Sequence, residues 1–93
     1  MTKAEREYLS RVADLGCILC KHLGYEGTPA EIHHIRTGTG AGRRASHYDT
    51  LPLCPEHHRG QTGLHGLGTK GFAKKYQLTE LDLLAQVKDL LHV

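Results

Sequence analysis

The chain has no tryptophan, one phenylalanine and one methionine, and aromatics make up only 5% of it. It cannot lean on aromatic packing for its stability. No apolar run is long enough to cross a membrane, and nothing reads as a secretory signal. Three cysteines are an odd number, which argues against a closed disulfide framework. The expectation is a reducing, cytoplasmic setting in which thiols are available to bind metal. A strong excess of one charge is also missing: twelve Lys and Arg face ten Asp and Glu, for a net charge of +2. That balance permits a polyanionic partner without demanding one.

Ninety-three residues make one small domain. Such a domain buries a modest core, and a metal ion is a common supplement. Here the apolar residues gather towards the two ends, whereas the middle is rich in Gly, His and Arg. The basic residues of that middle are Arg36, Arg43, Arg44, Arg59, Lys70, Lys74 and Lys75, with Asp49 and Glu56 as the opposing acids. Something other than apolar burial has to organise it.

The eight histidines are the strongest candidates. Four form pairs, His33-His34 and His57-His58. Cys17 and Cys20 have the two-residue gap that lets both sulfurs reach one ion, and Cys54 and His57 repeat that gap. Two such knuckles make a tetrahedral Cys3His set of the kind that holds structural zinc. The blander alternative is three cysteines packed as small hydrophobes.

Along the chain, residues 2–14 have helical spacing of Leu9, Val12 and Ala13, and Gly16 ends that helix. The Cys17–Cys20 turn and a loop follow. Residues 30–35 read as a short strand leading into His33-His34. Residues 37–46 form a Gly-, Thr- and Arg-rich loop with no Gly-Lys-Ser/Thr ending, so it is not a phosphate-binding P-loop. Residues 50–53 are a second strand, partly limited by Pro52. Pro55 suits the first turn of a helix over 55–60, ended by Gly60. Residues 72–76 make a helical turn. Thr79 then caps a last helix, with Asp82 as capping-box partner. Its expected apolar stripe is Leu81, Leu84, Val87, Lys88 and Leu91, widened by Leu83 and Leu90.

Once His57 is assigned to the cysteines, His33, His34 and His58 remain, with His65 further on. Neighbouring side chains on a strand point to opposite faces, so His33 and His34 cannot easily hold one ion side by side. A division of labour is natural, one imidazole binding metal and the other acting as a general base at neutral pH. Such a base needs an orienting group, and Asp49 is the nearest acid in the pattern.

These residues resemble the HNH nuclease superfamily, which has a ββα-metal (His-Me finger) core. His33-His34 matches its first element, Asp49 stands where an Asn is usual, and the run from Leu51-Pro52-Leu53-Cys54 to His57-His58 matches its second strand and helix. More narrowly, Leu53-Cys54, His57-His58, Gly63-Leu64-His65-Gly66 and Phe72 resemble the phage recombination-enhancement, RecA-dependent nucleases. The resemblance implies an α+β fold, a small zinc-stabilised ββα-metal core with flanking N- and C-terminal helices. It divides the single domain 1–93 into an N-terminal helix over 1–14, a core over 15–66 and C-terminal helices over 70–93.

It also implies roles. His33 and His58 would bind a catalytic divalent ion (Mg2+ or Mn2+, with Zn2+ able to substitute), and His65 would complete that site across a Gly-containing insert where plain helical spacing is commoner. His34 would be the general base and Asp49 would orient it. Cys17, Cys20, Cys54 and His57 would hold structural Zn2+. Arg36, Arg43, Arg44, Arg59, Lys70, Lys74 and Lys75 would contact DNA phosphates. The implied activity is metal-dependent DNA endonuclease cleavage, with a RecA filament as partner, in a bacterial or phage-infected cytoplasm. Two other readings stand beside it. A zinc-stabilised DNA-binding module would hold one ion and cut nothing. A redox-sensing cysteine protein would release zinc on reversible disulfide formation.

Overall fold

A computed structural model describes residues 1–36 and 45–93. Residues 37–44, and with them Arg43, Arg44 and most of the Gly-rich loop, lie outside the described residues. Helix α1 (Lys3–Asp14) opens on a capping box: Thr2 Oγ1 accepts from the Glu5 amide, and Glu5 accepts from the Thr2 amide at 2.7 Å. It buries Tyr8 and Val12. Gly16 then takes φ +75°, and a Cβ there would crowd the Thr28 carbonyl, which accepts from the Cys17 amide at 2.9 Å. This reversal starts the first knuckle, where the short helix α2 (Ile18–His22) has Cys17 at its N-cap.

Strands β1 (Glu31–His34) and β2 (Thr50–Leu53) pair antiparallel, with His33 opposite Leu51 and His34 opposite Thr50. Pro52 is tolerated because a two-stranded sheet has only edge strands. Pro55 begins α3 (Pro55–Arg59), as its preset φ favours. The chain doubles back at Gly60 into α4 (Leu64–Tyr76), a helix interrupted at Gly68, where φ is +74°. Glycines make this corner possible, Gly60 itself having no room for a Cβ beside the Glu56 carbonyl. A Cβ on Gly63 would collide with the backbone of Glu56 and His57, and one on Gly66 with that of Gly60 and Gln61. The expected helical turn over 72–76 is thus the last part of a longer helix that starts beside α3.

Helix α5 (Glu80–Leu91) carries the expected capping box between Thr79 and Asp82. Its buried face differs from the expected stripe. Glu80, Leu83, Val87 and Leu91 are buried, whereas Leu81 and Leu90 are 54% and 43% exposed. Leucine occurs so often between 81 and 91 that spacing alone fits more than one rotation of the helix. Packing selects the one that turns Glu80 inward. Phe72, the single phenylalanine, is fully buried among Leu19, Leu51, Leu53, Leu83 and Val87 in one core cluster. Arg11 Nη2 donates to the Leu91 carbonyl at 2.8 Å, joining the first helix to the last.

The architecture is small α+β, as expected: a two-stranded sheet surrounded by helices. Phe72→Ala should destabilise the chain by about 3–5 kcal/mol, against about 1 kcal/mol for Thr2→Ala, which removes only an exposed cap. Urea denaturation of the two variants checks the difference.

Candidate metal centre

The knuckles bring Cys17, Cys20, Cys54 and His57 together, with their ligand atoms all within 4.8 Å of one another. His57 Nδ1 lies 3.7 Å from Cys17 Sγ, 3.4 Å from Cys20 Sγ and 3.3 Å from Cys54 Sγ, and the Cys20 and Cys54 sulfurs are 3.9 Å apart. A tetrahedral zinc with ordinary Zn–S and Zn–N bonds has ligand–ligand edges of about 3.5–3.8 Å. The observed spacings straddle that range, so the set fits a structural metal such as zinc. All three cysteines are buried and free of disulfides. Burial, chiefly, pushes the Cys20 thiol up to about 12, so a thiolate at Cys20 requires a cation beside it. Burial also lowers the pKa of His57, which favours the neutral, ligating imidazole.

The next residue on α3 belongs to a different group. His58 stands with His33 from β1 and His65 from α4, and these three imidazoles also place their ligand atoms within 4.8 Å. The ring centroids of His58 and His65 are 4.6 Å apart, and those of His33 and His58 are 5.1 Å apart. The glycine corner explains the unusual spacing: it folds α4 back onto α3, so a residue seven positions beyond His58 returns to it. His65 is exposed and the other two are half-buried, so the group opens to solvent on one side. Three nitrogen ligands with an open position suit a divalent ion that must also bind a substrate.

The second ring nitrogens of two of these histidines are engaged. His58 Nδ1 lies 2.8 Å from Glu31 Oε1. His33 Nε2 lies 2.7 Å from Glu80 Oε2. Glu31 also accepts from Arg59, at 2.8 Å from Nε and 3.0 Å from Nη2. The Arg59 guanidinium first, and His58 second, hold the Glu31 carboxyl at about 2. Arg59, expected on DNA, thus has its fork committed to Glu31. Lys70, Lys74 and Lys75 are exposed on α4, and Arg36 is exposed at the end of β1.

His34 lies outside the three-imidazole group, and its Nε2 meets His47 Nδ1 at 2.9 Å. Its pKa is lowered, first by burial and then by the neighbouring charges of His47 and His33. The expectation that Asp49 orients His34 is not met. The Asp49 carboxylate lies 3.6 Å from Lys88 on α5, while its carbonyl accepts from the Ile35 amide. The residue stands just ahead of β2, where its backbone completes the ladder and its side chain is left to face the helix.

Glu31, Glu80 and His47 are site neighbours that sequence reasoning did not assign. Glu31 had a legible signal, since it lies two residues before His33 and so on the same strand face. Glu80 comes from 47 positions away, and its signal was only that of an acid at the start of a leucine-rich helix.

The fold and its Cys/His cluster define a small α+β domain able to hold a structural metal. The chain matches the family described as "Recombination enhancement, RecA-dependent nuclease" over residues 1–92. It belongs to that family. No curated protein matches it. No helix among the described residues is long and apolar enough to cross a membrane.

Chelation of the metal-loaded chain is expected to abolish its cooperative thermal transition. Binding of a structural zinc is worth roughly 10–16 kcal/mol, as much as the whole stability of a domain this size. Cys54→Ser should bind one zinc ion fewer than the wild type, as counted by elemental analysis, and lose its far-ultraviolet circular dichroism.

Proposed function

We propose that the chain is a metal-dependent, HNH-type DNA endonuclease, acting as one domain over residues 1–93. The observation that carries this reading is the second group of imidazoles. A chain that needed metal only for folding would be served by Cys17, Cys20, Cys54 and His57. Yet His33, His58 and His65 converge beside them, in a family described as nucleases.

Placement supports the following roles. His33, His58 and His65 would hold the catalytic ion, with Mg2+ or Mn2+ as the working candidates. Such an ion supplies positive charge that polarises the scissile phosphate and stabilises the leaving 3′-oxygen. His34 takes the proton from the attacking water, and its lowered pKa keeps it in the neutral form a base requires. His47, 2.9 Å from its ring, is the group that orients it. Lys70 and Lys74, four residues apart on α4, are candidates for phosphate contacts, with Lys75, Arg36, Arg43 and Arg44. Arg59 joins them only by leaving Glu31. None of these contacts reads a base edge, so weak sequence preference is expected.

The RecA requirement is supported by the family description, a RecA-dependent nuclease of recombination enhancement; a RecA filament on DNA, in a bacterial or phage-infected cytoplasm, is the setting this reading proposes. The test is cleavage of duplex DNA paired with a RecA-coated single strand, in Mg2+ or Mn2+. Wild type should cut, and His34→Ala should be slower by roughly 10²–10⁴-fold, as loss of a general base predicts. Equal cutting by both would sink the mechanism. Tight binding of a single ion with no cleavage under any condition would favour a zinc-stabilised DNA-binding module instead.

A further inference from the structure

Glu80 is one of two buried polar residues among the described ones, the other being Thr50. Its side chain is 8% exposed. Burying a carboxylate is costly unless it is paired and hydrogen-bonded. Helix capping does not explain it, because Thr79 and Asp82 already form the box at the start of α5. A first-turn acid would interact with the helix dipole equally well from the surface. The other buried residues of this helix, Leu83, Val87 and Leu91, are apolar. Inward placement of Glu80 therefore serves what it touches, and its Oε2 lies 2.7 Å from His33 Nε2.

The geometry points to Glu80 as a positioning residue that holds the His33 ring with its other nitrogen, Nδ1, turned to the three-imidazole centre. This deepens the reading of His33, His58 and His65 as a metal centre and rests on it. The His33 backbone is already fixed by pairing with Leu51 across the sheet, so ring rotation is the freedom that remains. Acceptance of the Nε2 proton by Glu80 sets both that rotation and the tautomer. Metal-binding histidines characteristically donate their second N–H to a carboxylate in this way. Glu80 is not itself part of the group that could hold the ion; it stands behind His33. The arrangement on His58 is parallel, with Glu31 at its Nδ1. Glu31, however, comes from the same strand as His33, whereas Glu80 makes the centre depend on the docking of α5.

The test is calorimetric titration of the zinc-loaded chain with Ni2+, an ion suited to imidazole. Zinc content and far-ultraviolet circular dichroism establish that each variant is folded. Glu80→Gln should bind Ni2+ about 10–100-fold more weakly than wild type. Asp82→Ala, which breaks the capping box and does not touch His33, should lower Tm and leave Ni2+ affinity within about threefold. The proposal is overturned by a Glu80→Gln affinity within twofold of wild type, or by an equal loss in Asp82→Ala, which would reduce Glu80 to a docking contact. If Glu80→Gln does not fold, Glu80→Asp, which keeps the charge but shortens the reach, is read against the same limits. His58→Ala separates the two levels. If it binds Ni2+ as well as wild type does, the metal centre itself fails. If it abolishes binding while Glu80→Gln changes nothing, only the positioning role fails.

Discussion

Convergence of Cys17, Cys20, Cys54 and His57 on one point is the constraint on which the rest of this structure depends. Cys17 and Cys20 come from the turn after α1 and the short α2, Cys54 from the end of β2 and His57 from α3, so one ion there would tie three parts of the chain together. Burial raises the pKa of the Cys20 thiol, so its thiolate is favoured there only with a cation to offset the charge. Zinc would supply that charge, and the four ligand atoms already stand at spacings that fit a tetrahedral ion. The remaining core is thin: a single phenylalanine and a set of Leu, Ile and Val side chains from the terminal helices pack against β2. Such a core holds the helices to the sheet. Through Ile35, Leu51, Leu53 and Leu64 it extends into the Gly- and His-rich middle, where it meets the cysteine cluster.

From that anchor the candidate catalytic group is built by local rules. Strand alternation sends His33 and His34 to different neighbours. The helical turn separates His57 from His58. The glycine corner at Gly63 and Gly66 lets α4 approach α3 closely enough to return His65. Two carboxylates, from opposite ends of the chain order, meet the outer nitrogens of His33 and His58. Among the described residues, the group is half-buried at His33 and His58 and exposed at His65.

Spacing made much of this legible from the sequence. Cys-x-x-Cys and Cys-x-x-His declare their own geometry, because a two-residue gap is a local constraint. So do the capping box at Thr79 and the start of α3 at Pro55. The histidine pairs divide between two side-chain groups for the same reason: His57 stands with the cysteines and His58 with His33 and His65. What was not legible depends on long-range packing. Asp49 was a reasonable partner for His34 because it stands where the resembled pattern has an Asn, but the register of β2 turns it to Lys88 and leaves His47 beside the ring. The inward face of α5 was ambiguous because leucines occupy several faces, and only docking against Phe72 and the sheet decides it. With that rotation undetermined, Glu80 could not be seen as a neighbour of His33.

The adjacency of His57 and His58 has a thermodynamic consequence. Their Cα atoms are held about 3.8 Å apart by one trans peptide, whatever the ions do. Occupancy of the cysteine cluster fixes α3, and with α3 fixed, His58 already stands where the second centre needs it. The ordering entropy of that residue has then been spent before the second ion arrives. Linkage makes the effect mutual: an ion between His33, His58 and His65 must tighten the hold of the first cluster by the same factor. If both groups hold ions, the two would fill as a cooperative pair, with the sulfur site leading.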